Sequence, residues 1–122
     1  MNLGFIGSPH SLTISLLAPP ANRPIRLRLG DSDRGTRFVD LTEGESTAAG
    51  YVGLTMLTAQ EGTFPVPREP GCDPLAWVIG EGNNPIRLRI GNDRQSRIIC
   101  MTRARAKAVC LGFLAAAAAV QP

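Results

Sequence analysis

Apolar and polar residues alternate strictly through Ile25-Arg26-Leu27-Arg28-Leu29 and again through Ile86-Arg87-Leu88-Arg89-Ile90. A period of two marks a strand with one buried face and one face in water. Both runs lie inside a longer match: Pro24-Ile25-Arg26-Leu27-Arg28-Leu29-Gly30 recurs 61 residues later, with six of seven positions identical. Upstream, Leu12-Thr13-Ile14-Ser15-Leu16 lies over Leu75-Ala76-Trp77-Val78-Ile79. Downstream, Arg37-Phe38-Val39-Asp40-Leu41-Thr42 lies over Arg97-Ile98-Ile99-Cys100-Met101-Thr102. After each threonine the apolar spacing turns helical, over 43–60 and 103–120. Thr42 and Glu45 have the Thr-x-x-Glu spacing of a capping box, in which side chain and backbone at a helix start satisfy each other. Thr102 is an equivalent N-cap, followed by Arg103 and Arg105 instead of an acid.

Each unit therefore reads as three strands and a helix, and the chain as an α+β, internally duplicated (βββα)2 domain of antiparallel sheets with two packed helices. The first unit spans 11–60 and the second 75–120, joined by a proline-rich linker over 61–74. The connections 18–22 and 81–84, and the hairpins 30–35 and 91–94, are built from Gly, Pro, Asn and Asp, the residues of turns. A unit of about 50 residues buries too little surface to be stable alone, so the halves are expected to pack as a pseudo-two-fold pair. Each helix would cover its own sheet. A closed six-stranded barrel and a continuous sheet both fit the pattern.

The alternation sends Ile25, Leu27, Leu29, Ile86, Leu88 and Ile90 to the core, and Arg26, Arg28, Arg87 and Arg89 to the opposite face. Arg37 and Arg97 open the third strands and would extend this arginine stripe. Arg103, Arg105 and Lys107 add positive charge at a helix start, which the helix dipole disfavours and an anion would relieve. Trp77 aligns with Ile14 between apolar neighbours, and Tyr51 aligns with Leu111 on a helix; both are expected in the core. Phe5 and Phe64 precede the units and are open to either role.

Composition narrows the chemistry. The 122 residues carry 13 Lys and Arg against 10 Asp and Glu, a net charge of +3. Residues 1–61 sum to −1 and residues 62–122 to +4. Thirteen glycines and ten prolines argue against a plain helical bundle. The longest apolar run, 108–120, is 13 residues, short of the roughly 18–20 that span a bilayer. One histidine and three cysteines supply neither a closed zinc site nor an even disulfide framework, so no metal or cofactor is expected. The cysteines point to a reducing cytoplasm, with Cys100 and Cys110 as buried free thiols. His10 is placed in an N-terminal loop without a catalytic partner. Asp31, Asp33 and Asp93 belong to hairpin turns, and no phosphate-binding loop or nucleophile elbow is present, so the chain is not expected to be an enzyme.

A short meander of strands, a strand ending in Thr, and then a helix resembles the repeat of the PC4-like, Whirly and PUR-repeat single-stranded DNA-binding proteins. The resemblance covers about 12–60 and 75–120, and the junction Arg97-Ile98-Ile99-Cys100-Met101-Thr102 carries it best. It implies two units paired about a two-fold axis, with basic and aromatic side chains of the exposed sheet face on single-stranded DNA or RNA. It also implies four strands per unit, for which 4–6 and 63–66 are candidates. The arginines Arg26, Arg28, Arg37, Arg87, Arg89, Arg97, Arg103 and Arg105, with Lys107, would then contact phosphates. The alternative is a protein-binding module (inhibitor, adaptor or assembly subunit) that offers a strand edge or the helix pair to an acidic partner. A homo-oligomer fits either reading.

Overall fold

The computed structural model describes residues 2–7, 10–31, 35–91 and 96–120. The hairpin residues 32–34 and 92–95, including Asp33 and Asp93, lie outside the described residues. Four antiparallel strands come first: β1 (Asn2–Gly7), β2 (His10–Leu16), β3 (Ile25–Asp31) and β4 (Gly35–Leu41). Helix α1 (Glu43–Met56) follows. The order then repeats as β5 (Gly62–Pro65), β6 (Leu75–Ile79), β7 (Ile86–Ile90), β8 (Arg97–Met101) and α2 (Arg103–Ala119). The two sheets are separate, each a simple meander in chain order.

Each unit thus has four strands, not three, and neither a six-stranded barrel nor a continuous sheet forms. The added strands are β1 and β5, so the linker shrinks to the segment after Pro65. His10 opens β2 opposite Gly7 and Asp31 rather than lying in a loop. Register is the same in both halves. Ile14 stands opposite Leu27 and Leu27 opposite Val39; Trp77 stands opposite Leu88 and Leu88 opposite Ile99. These inward rows from both sheets merge in one core, with β3 meeting β8 and β4 meeting β7 in reciprocal fashion.

The helices do not sit where local order suggests. Helix α1 packs on β5 and β6 of the second sheet as well as on β4, and α2 packs on β2 of the first sheet. The exchange ties the halves together: without the other, each would expose both its sheet and its helix. Trp77 is fully buried at the crossing, as expected, donating its Nε1–H to the Ala49 carbonyl at 3.0 Å. It meets Phe113 edge-on, with ring centroids 6.3 Å apart. Ser46 Oγ donates to the Phe113 carbonyl at 2.8 Å.

Small residues on α1 let the helices approach this closely. A Cβ at Gly50 would come 2.9 Å from the Cys110 carbonyl. One at Gly53 would run into Cys110 Sγ and sit 2.8 Å from Trp77 Nε1. Gly53→Ala is therefore expected to destabilise by about 1–3 kcal/mol through overpacking, although alanine favours a helix interior by about 1 kcal/mol. Urea unfolding midpoints of the two proteins check the sign. Burial pushes the Cys110 thiol up to about 12, leaving it inert.

The predicted capping box is present: Thr42 Oγ1 accepts from Glu45 N–H at 3.1 Å, and Glu45 Oε1 accepts from Thr42 N–H at 2.9 Å. Glu45 also anchors the chain between the sheets. Arg23 donates to its Oε1, while Arg68 Nε, at 3.2 Å, and the Glu69 N–H, at 3.3 Å, donate to Oε2. Burial alone would push this carboxyl up, but the Thr42 N–H, Arg68 and the Glu69 N–H outweigh it and hold it below the usual carboxylate range. Since folding lowers its pKa, its contribution is complete above the unfolded value and is lost as pH falls toward the folded one. Stability should therefore begin to fall as pH drops below about 5, where the unfolded carboxyl takes up its proton first. Glu45→Gln should flatten that fall and cost about 1–3 kcal/mol at neutral pH, read from urea midpoints across the range.

Candidate nucleic-acid interface

Strand parity sorts the expected arginines. On the first sheet Arg26 and Arg28 leave the core face, with Arg26 opposite Asp40 and Arg28 opposite Phe38. On the second, Arg87 stands opposite Cys100 and Arg89 opposite Ile98. The two outer faces are related row for row but differ in chemistry.

On the first face Arg26 is taken. Its Nε and a terminal nitrogen donate to the two Asp40 oxygens at 2.8 and 3.1 Å. Its Cζ lies 4.1 Å from the Phe38 ring centroid, and that of Arg28 lies 5.9 Å away. The hydrogen bond to Asp40 outweighs partial desolvation, and with the carboxylate's charge it raises the Arg26 pKa further. Phe38 keeps 47% of its surface exposed. With the Arg26 guanidinium over its ring and that of Arg28 further out, the surface it leaves exposed is an apolar platform beside positive charge. Arg28 is exposed and has no acidic partner among the described residues.

On the second face the acid is gone. Cys100 takes the place of Asp40, and Ile98 that of Phe38. Neither Arg87 nor Arg89 has an acidic partner among the described residues. The Arg87 guanidinium lies against Gly80, where a Cβ would come 2.6 Å from one of its terminal nitrogens. Glycine there leaves room for the arginine to lie along the backbone. Val78 and Ala76 flank the pair from β6, opposite Arg87 and Arg89 respectively.

Four expectations are corrected here. Arg37 and Arg97 do not extend the stripe, because they share parity with the buried Val39 and Ile99 and point to the inner face. Arg37 reaches across to Asp73 at 3.0 Å and packs over Gly91, and Arg97 donates to the Ser96 carbonyl at 3.1 Å. Tyr51 is not core but 59% exposed, as is its counterpart Leu111 at 49%. Cys100 is exposed, since its parity is that of the outward Ile98.

The helix-start cations divide. Arg103 donates to the Leu57 and Ala59 carbonyls at 2.8 and 3.3 Å, so it closes the C-terminal end of α1. The charge that α2's own dipole disfavours is thereby favourable at its neighbour's end. Arg105, whose N–H is capped by Thr102 at 3.1 Å, and Lys107 are exposed. Phe38 is the residue that sequence reasoning misses; its signal is the alternation with Val39 and Leu41, which sends it to the arginine side. Among the described residues no cluster of His, Cys, Asp or Glu would hold a metal ion. No described helix is long and apolar enough to cross a membrane.

No family model, curated protein or solved structure matches the chain.

Proposed function

We propose that this chain is a small, non-enzymatic, cytoplasmic protein that binds single-stranded DNA or RNA on the outer faces of its sheets. The observation that carries the reading is the pair Arg87 and Arg89, two adjacent outward cations on one strand with no carboxylate beside them among the described residues. A guanidinium without a local acid is a ready donor to phosphate, because its planar fork gives two parallel hydrogen bonds. Arg28 supplies a third such group next to Phe38, where a base would stack. Phosphate contacts of this kind position a strand without reading its sequence. The ββββα order in each half has the four strands per unit that the PC4-like, Whirly and PUR-repeat resemblance implies, and duplication of one ancestral unit would explain the matched registers.

Fluorescence anisotropy of a labelled oligo(dT), with single-stranded RNA and duplex DNA as competitors, tests the reading. Single strands should bind and should displace the probe better than duplex does. Absence of binding even at low salt would remove it and favour an acidic protein partner. Phe38→Ala should weaken oligo(dT) binding by about 1–3 kcal/mol, the worth of one stacked base, while leaving the urea midpoint unchanged.

A further inference from the structure

Where β2 turns into β3, a pocket of about 480 Å³ lies between that connection and the end of α2. Small-molecule sites have this size, roughly 300–1,000 Å³. Leu16, Leu17, Pro19 and Pro20 form one wall, and Ala119 and Val120 the other. Asn22 is its only polar side chain, and no charged one lines it. Both walls depart from the repeat. The Leu17 N–H donates to the Pro24 carbonyl and the Gly80 N–H to the Pro85 carbonyl, each at 2.8 Å, so the two connections open and close alike. Between those points the second unit has only Gly-Glu-Gly-Asn-Asn over 80–84, shorter than 17–23 and without an apolar side chain. Helix α2 likewise runs on past Ala116, the counterpart of Met56 where α1 ends, and Ala119 is its last residue. Duplication alone would put no pocket here.

Charge selects the occupant. Helix α2 has no basic residue in its last turn, and its cap, Val120, donates its N–H to the Ala117 carbonyl at 3.4 Å. The negative end of the helix dipole therefore opens at the pocket wall with no cation of its own helix to meet it. At the matched end of α1, Arg103 supplies that cation to the Leu57 and Ala59 carbonyls. The counterpart of Arg103 in the repeat is Glu43. Arg103 lies on the end of α1 and Ser46 on the Phe113 carbonyl, so the helices run antiparallel. The same register sets Glu43 one turn further on, beside the last turn of α2. An acid thus stands where the other half has a guanidinium, and it has no salt bridge among the described residues. We infer that this pocket binds a small amphipathic cation, with an apolar chain or ring against Leu16, Leu17 and the prolines and a protonated amine at the α2 carbonyls near Glu43. The ammonium supplies the donors that Arg103 supplies at the other helix end. A carboxylate would meet like charge there, and a neutral alcohol would gain the apolar contact alone.

The site shares no residue with the outward arginines and is tested without nucleic acid. Octylammonium titrated into the full chain should shift the backbone amides of Leu17, Asn22, Ala119 and Val120 saturably in nuclear magnetic resonance spectra. Octanol should bind there about two- to fivefold more weakly, the worth of a cation at a helix end, and octanoate more weakly still. Glu43→Gln should weaken octylammonium by a similar factor, and Glu43→Arg by more, while both leave octanol unchanged. Ala21→Trp, at an exposed position of the pocket rim, should fill the space and remove binding of amine and alcohol alike, with native circular dichroism. Octanoate binding as tightly as octylammonium at these amides, an amine affinity indifferent to Glu43→Arg or to Ala21→Trp, or no saturable shift at the pocket would each overturn it.

Discussion

Trp77→Ala should lower the unfolding free energy by about 3–5 kcal/mol, the range for removing a fully buried large aromatic, and thus a large share of the roughly 5–15 kcal/mol typical of a domain. Trp77 is the residue on which the exchanged packing converges. It belongs to the second sheet, donates to the backbone of the first unit's helix, and meets Phe113 of the second. Its loss removes the edge-on contact, opens a cavity and releases the Ala49 carbonyl together. Trp77→Phe retains most of the burial but not the donor, and should cost about 1 kcal/mol. Equal midpoints for the two variants in urea would mean that neither the lost volume nor the cavity is felt there. Because the halves share this contact, unfolding should remain a single transition, followed identically by Trp77 fluorescence and far-ultraviolet circular dichroism. Two separated transitions would show that the halves are independent.

Most of this architecture is legible in the internal repeat. Strict alternation through β3 and β7 places their core and outer residues correctly, and the capping threonines mark both helix starts. The features that escape the pattern have physical causes. Strand β5 is only four residues and ends in proline, so it has little periodic signal of its own. Exchange of the helices between sheets is a long-range packing choice that no local pattern encodes. Tyr51 and Leu111 mislead because both helices carry small or apolar residues around much of their circumference, leaving periodicity with little direction to report. The interface is half legible. Parity assigns Arg26, Arg28, Arg87 and Arg89 to the outer faces, and the same rule removes Arg37 and Arg97 and brings in Phe38 and Cys100. Which arginines are neutralised is not legible from alternation, since it depends on one residue: Asp40 in the first unit, Cys100 in the second.

That difference gives the second large effect. The Arg87→Ala/Arg89→Ala variant should lose most of its affinity for single strands, whereas Arg26→Ala should lose little, because Arg26 is already held by Asp40. In the double variant the slope of log affinity against log salt should fall by about 1.4, two phosphate contacts at roughly 0.7 each for a single strand. A similar loss in Arg26→Ala would mean that the ion pair opens on binding. An unchanged slope in the double variant would show that these arginines touch no phosphate. Cys100→Asp is the complementary change of charge: it would recreate the Asp40 arrangement beside Arg87 and should weaken binding at low salt without altering the fold.

The most direct measurement is a nuclear magnetic resonance titration with oligo(dT) that follows backbone amides and arginine Nε–Hε groups together. Binding on the outer faces should shift the side-chain signals of Arg28, Arg87 and Arg89 and the amides of β7 and β8, leaving Arg37 and the buried helix crossing at Gly53 and Cys110 unmoved. Shifts confined to the helix pair, or to Arg103, Arg105 and Lys107 with the sheet arginines silent, would contradict it.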